Sequence, residues 1–215
     1  MGSPLMSHLA SRSAADRRER IVLAALRLFS EQPYGDVHMD GIAASARVAK
    51  PTLYRYFATK EALFIAALEH ALGELGREIE RIRAGEGTSE HRLERIVALM
   101  LDRVGRLSPA IQAVESQSSD LGERSRMILR RGFASLREGI ARLLADGIED
   151  GELGGFDVDL AVLLVLGGVR MAVHSAAASR TDLARSLVDI LLGGLRVRPR
   201  ARQAAVTQSW SGAEA

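Results

Sequence analysis

Along most of the chain apolar residues return at steps of three and four, and no alternating apolar–polar pattern persists. That single periodicity restricts the molecule to an all-α fold. Its longest run is Leu63, Phe64, Ala67, Leu68, Ala71, Leu72, Leu75, Ile79 and Ile82, a stripe that reaches the glycine-bearing break AGEGTSE. A helix of that length can join two packing units. Around it the pattern predicts about nine helices. One spans roughly 15–31 and ends at QPYGD, and two short ones follow near 39–46 and 50–57. The long helix is capped by Thr59. Further helices fall over 90–107, a short piece after Pro109, 121–149, a strongly apolar stretch begun by Asp157 and ending near 179, and 182–192 after Thr181.

The chain of 215 residues is 47% hydrophobic and 26% charged, enough for a sizeable core. It has no cysteine, which excludes disulfides, thiolate metal sites and cysteine nucleophiles. Its five histidines have no metal-ligand spacing, so neither a metal nor a cofactor is expected. The most apolar run, LAVLLVLGGV, is about half the roughly 20 residues of a membrane helix and is followed by Arg170 and His174. A buried or interfacial helix is expected there, with no membrane partner and a cytoplasmic location. Residues 1–14 read as a flexible arm and 197–215 as a flexible tail.

Net charge is only +2, yet residues 1–60 carry nine Lys and Arg against five Asp and Glu. Within that basic quarter, RVAKPTLYRYFATKEALF spends two of the three tyrosines of a protein that is 4% aromatic. A helix-turn-helix needs a small residue where its two short helices cross and an inward apolar residue about ten positions later, a spacing met by Ala43, Arg47 at the turn and Leu53. With Leu53 and Phe57 turned inward, Lys50, Pro51, Thr52, Tyr54, Arg55 and Tyr56 occupy the start and outer flanks of the second helix. Those types read base edges and hold phosphates. Lys60, in the first turn of the next helix, is a further candidate, as is Arg47.

From Ile21 to Leu68 the sequence resembles the TetR family of transcriptional regulators, through IVLAALRLFSEQPYGDVHMDGIAASA and then VAKPTLYRYFATKEALF. Arg47 stands where the family usually has a turn glycine, and Val37 and His38 where it favours a threonine cap. The resemblance implies a three-helix DNA-binding domain over 15–60 and a helical effector-binding and dimerisation domain over 61–196. It implies a homodimer on a palindromic double-stranded DNA operator, most simply a repressor released by a small-molecule effector. Candidate effector contacts on the central helices are Met100, Arg103, Met127, Phe133, Met171 and His174. Candidate dimer contacts on the last two helices are Gly167, Gly168, Ala172, Leu187 and Leu191.

An enzyme is disfavoured, because no GxSxG elbow, GxxxxGK loop or post-strand GxGxxG occurs, and the serine beside His174 cannot face it on a helix. A helical small-molecule-binding or partner-interaction protein that does not read DNA is the alternative. Such a protein would have no need of the Lys50–Lys60 face.

Overall fold

The structure, a computed structural model, describes residues 4–116, 120–173 and 180–195. The described residues form eight helices and no strand: α1 (Pro4–Glu31), α2 (Met39–Ser45), α3 (Lys50–Tyr56), α4 (Lys60–Arg83), α5 (Ser89–Ser116), α6 (Asp120–Glu149), α7 (Val158–Val173) and α8 (Arg180–Leu195). The all-α expectation holds. His174 lies outside the described residues, as does the tail from 196 onward.

Three boundaries differ from the sequence reading. Helix α1 starts at Pro4, because neither glycine nor proline interrupts residues 5–32 and a proline suits a first turn. Helix α5 continues through Pro109, so the piece expected beyond it is part of α5; the missing N–H leaves the Gly105 carbonyl without its helical donor. Helix α8 is already helical at Arg180 and Thr181 and runs past the Gly193–Gly194 pair to Leu195. Asp157 does cap α7, accepting from Leu160 N at 3.0 Å, and Thr59 caps α4, accepting from Ala62 N at 3.1 Å.

Two hydrophobic cores form, and α4 runs through both. The first joins Ile21, Ala25 and Phe29 of α1 to Ile42 and Ala43 of α2, Leu53 and Phe57 around α3, and Leu63, Phe64, Leu68 and Leu72 of α4. Phe29 and Phe64 meet edge to face at 4.9 Å, and Tyr34 packs on both rings. The second core begins at Leu75 and Ile79 of α4 and takes in the buried faces of α5 to α8. The division therefore falls within α4, between Leu72 and Leu75. Ala110 of α5 and Leu129 of α6 cross it, for both belong to the first core.

The pairing of α4 with α6 is the most extensive between helices. Gly132 makes it possible: a Cβ there would lie 2.5 Å from Leu72 Cδ1 and 2.9 Å from Leu72 Cβ. Gly73, on the other side of the contact, would meet only the end of Arg77 at 3.6 Å. Gly132→Ala should therefore cost about 1–3 kcal/mol in urea unfolding, whereas Gly73→Ala should be neutral or gain up to about 1 kcal/mol from helix propensity. Equal effects at the two sites would reject the close approach.

Candidate nucleic-acid interface and effector cavity

The short helices α2 and α3 are joined by a turn in which Val48 N donates to Ala43 O at 3.0 Å and Arg47 N to Ala44 O at 3.1 Å. Arg47 keeps the left-handed conformation, φ 54°, that a glycine would adopt freely; for arginine this costs on the order of 1 kcal/mol. Its side chain is exposed. Ala43 is buried at the crossing, Leu53 is fully buried ten residues on, and Phe57 closes the underside. Val37 is also buried, while His38 precedes α2 in an extended conformation without making a side-chain cap.

Burial of Leu53 and Phe57 fixes what α3 presents outward. Lys50, Pro51, Tyr54 and Arg55 are exposed and Thr52 is partly so. Tyr56 is half-buried against the first core, with the Arg55 guanidinium 5.7 Å from its ring centre. Arg18 of α1 lies over Phe57 at 5.2 Å, bringing another cation to the exit of the same helix. Lys50 reaches back to α2, where its Nζ stands 2.8 Å from Asp40 Oδ1 and 3.0 Å from Oδ2. The hydrogen bond to Asp40, then its charge, raises the Lys50 pKa above the ordinary lysine value.

Lys60 is placed differently from the others. Its ammonium donates to the carbonyls of Tyr34 at 2.7 Å and Val37 at 2.9 Å, and more weakly to Gly35 at 3.4 Å, beneath the Tyr34 ring at 4.3 Å. Burial lowers its pKa, outweighing the attraction of Asp36. All three protons are thus engaged in holding the α1–α2 connection, a role invisible in sequence because its partners lie 23–26 residues away. A phosphate would have to compete with them.

The candidate effector residues separate. Met100 and Phe133 line a cavity of about 320 Å³ bounded by α5, α6 and α7, with Val104, Ile111, Leu163 and Leu166 adding apolar wall and Ser108, Gln112 and Arg170 its polar groups. Arg103 turns away to pair with Glu78 at 2.9 Å and lines a separate groove against α1. Met127 and Met171 are exposed and line no part of the cavity. Two wider grooves, of about 660 and 650 Å³, lie between α4 and α6 and between α1, α4 and α5. Half of the residues lining each are charged, whereas Arg170 is the one charged residue lining the smaller cavity, which is therefore the better container for an organic effector.

The candidate dimer residues separate too. A Cβ on Gly168 would come 3.1 Å from Leu187 Cδ2 of its own chain, so this glycine serves the α7–α8 contact within the subunit. Ala172, Leu187 and Leu191 are half-buried against the second core. Gly167 is open to the outside and lines the cavity mouth. The apolar side chains turned outward are instead Leu160, Leu163 (67% exposed), Leu164 and Met171 (72%) of α7 and Ile190 (74%) of α8. The sequence signal for them was the apolar character of α7 on more than one face.

A short helix braced by a left-handed turn on a second, with apolar residues inward and cations and hydroxyls outward, defines a helix-turn-helix DNA-binding protein. Comparison with known proteins agrees. Residues 21–67 match the family described as bacterial regulatory proteins, tetR family. The HTH-type transcriptional repressor KstR of Rhodococcus jostii is 31% identical over 202 residues, 89% of this chain and 90% of that protein. The fatty acid degradation regulator FadR from Bacillus halodurans superposes with a TM-score of 0.69 at 24% identity, covering 84% of this chain and 96% of that one. FadR from Bacillus subtilis, in complex with stearoyl-CoA, gives 0.65 at 23% identity over 82% and 98%; likeness at this level speaks for the fold. The chain belongs to the tetR family of bacterial regulators, and its function is DNA-binding transcriptional regulation.

Lys60 and Tyr54 are expected to fail in different ways. Lys60→Met leaves part-buried carbonyls without a donor and should cost about 1–3 kcal/mol of stability. Tyr54→Ala removes an exposed ring and should stay within about 0.5 kcal/mol of wild type while weakening binding to every DNA sequence alike. Urea unfolding and gel shifts on cognate and unrelated duplexes read the two; a stable Lys60→Met protein would reject the carbonyl cradle.

Proposed function

We propose that the protein is a repressor acting as a homodimer on a two-fold symmetric operator, released when a small, mainly apolar effector enters the α5–α6–α7 cavity. The direct DNA ligands in this reading are Arg47, Lys50, Pro51, Thr52, Tyr54 and Arg55. Thr52, near the start of α3, faces base edges, and Tyr54 and Arg55 face phosphates. Tyr56 and Lys60 support the helix and its connection first and meet the backbone second.

The observation that carries effector control is the double membership of Ile111 and Phe133. Both line the cavity, and both pack against the DNA-binding core as well as the larger core. A ligand that displaces either side chain presses on the unit holding α3. Close-packed interiors transmit such a displacement because they have little slack to absorb it. A ligand with an apolar body and one polar end, the broad character of the stearoyl-CoA bound by the Bacillus subtilis regulator, suits this lining. It must favour the geometry that misfits the operator, since only differential affinity moves the balance.

Dimerisation is supported by the outward leucines, Met171 and Ile190. Several large apolar side chains exposed on two neighbouring helices mark an interface, and an isologous pairing would present two α3 helices about 34 Å apart, one turn of DNA.

Two experiments test the proposal. Leu164→Glu combined with Ile190→Glu should give a folded monomer by sedimentation whose operator affinity falls about 100-fold or more through lost bivalency; a persistent dimer would reject this face. A thermal-shift screen of apolar acids, alcohols and thioesters should find ligands that stabilise the wild type by about 2.7 kcal/mol at a hundredfold excess over Kd and release operator DNA. Val104→Trp, which fills the cavity, should abolish both responses. Stabilising ligands that left operator binding intact would break the proposed coupling.

A further inference from the structure

The ion pair between Asp40 and Lys50 places a carboxylate on a surface that must face a polyanion. Lys50 occupies the first position of α3, the end that reaches base edges, and Asp40 the second position of α2. Both side chains are well exposed, 57% for Lys50 and 67% for Asp40, and Nζ is shared between the two carboxylate oxygens at 2.8 and 3.0 Å. An exposed pair of this kind contributes little to stability, and it is screened by salt. Against DNA, by contrast, the same carboxylate is repelled by every phosphate it approaches. Its position therefore carries a cost in affinity for DNA.

We propose that Asp40 and Lys50 act as a coupled base-reading pair, with Asp40 the specificity-determining member. The inference rests on the DNA-reading role of α3. In the free protein the carboxylate holds Lys50 and withdraws one cation from indiscriminate phosphate binding. In the major groove an ammonium is satisfied by the O6 and N7 acceptors of guanine, and a carboxylate by the exocyclic amino group of cytosine or, failing that, adenine. With the two side-chain heads about 3 Å apart, such groups must lie on the same or neighbouring base pairs. Where the groove instead turns acceptors toward Asp40, the carboxylate has no donor and Lys50 stays with it. The pair thus binds one base arrangement and penalises the others, a discrimination built from repulsion as well as attraction.

The competing explanation is that Asp40 serves only α2. That helix has no side-chain cap, and an acidic residue in its first turn offsets the helix dipole. The two roles separate in a randomised-operator selection carried out with the full-length protein, Asp40→Ala, Lys50→Ala and the double variant, together with salt titrations on an unrelated duplex.

The expected result has three parts. Wild type selects a site with a strong preference at one base pair per half-site, and Asp40→Ala and Lys50→Ala each lose roughly tenfold or more of that preference at the same position. The double variant loses no more than either single one. On unrelated DNA, Asp40→Ala binds more tightly, with a salt slope steeper by about one phosphate contact, close to 0.9. Unchanged base preference and unchanged salt slope, with only a lower melting temperature, would overturn the pair as a reader and leave Asp40 as a helix-end charge. Loss of preference at different positions would overturn the coupling. If wild type itself selected no sequence, the underlying DNA reading would fall with it, an outcome distinct from the other two.

Discussion

The molecule depends on α4 being one continuous rod with its two halves sealed into different cores. Leu63, Phe64, Leu68 and Leu72 are buried with the DNA-binding helices, and Leu75 and Ile79 with the body formed by α5 to α8. Each fully buried side chain of this size contributes about 1.5–3 kcal/mol, so neither half can leave its core cheaply. Any change in the body that tilts α4 must carry α3 with it. The contact of Gly132 with Leu72 sits at this junction and fixes how near α6 can come.

Helix existence was legible because burial repeats along one chain segment. The same periodicity gave Ala43, Leu53 and Phe57 as the helix-turn-helix core. It gave the exposed set Lys50, Thr52, Tyr54 and Arg55 by difference. Boundaries were less legible at Pro109, where a proline that breaks the hydrogen-bond ladder at one point is carried by packing on both sides. Lys60 was less legible for another reason: its type and location fit a phosphate ligand, but its orientation in the free protein is set by a loop of carbonyls more than 20 residues earlier. The same limit applies to Arg103, whose partner Glu78 lies on α4, and to Gly168, whose smallness answers to Leu187. Cavity walls contributed by three helices carry no local signature at all, which is why Met100 and Phe133 could be named but Met127 and Met171 could not be excluded.

The DNA-facing surface carries strain and frustration that a purely structural domain would shed. Arg47 adopts a left-handed conformation where glycine would sit without penalty, and it thereby gains an exposed cation at the turn. Asp40 faces outward beside Lys50. Arg18 stacks on Phe57, so a cation of α1 is held beside the end of α3. Departures from local optimality that cluster on one face point to function there. The polar cluster at the opposite end of α4, where Arg83 bridges Glu80 and Asp146, shows the contrasting case of charges consumed by one another.

The proposed effector control and DNA reading would meet in a narrow place. Ile111 lies two residues beyond Pro109, where α5 has lost a backbone bond, and it touches the cavity and both cores. Phe133 follows directly on Gly132, where α6 packs tightly on Leu72 of α4. Under the proposed function, an α5 lacking one backbone bond at that point would yield to a ligand, whereas the tight Gly132–Leu72 contact would pass the movement to α4. In the proposed mechanism, softness on one wall of the cavity and stiffness on the other would convert occupancy into a displacement of the DNA-binding helices. Were both walls soft, the ligand would be absorbed locally. Were both stiff, it would be excluded.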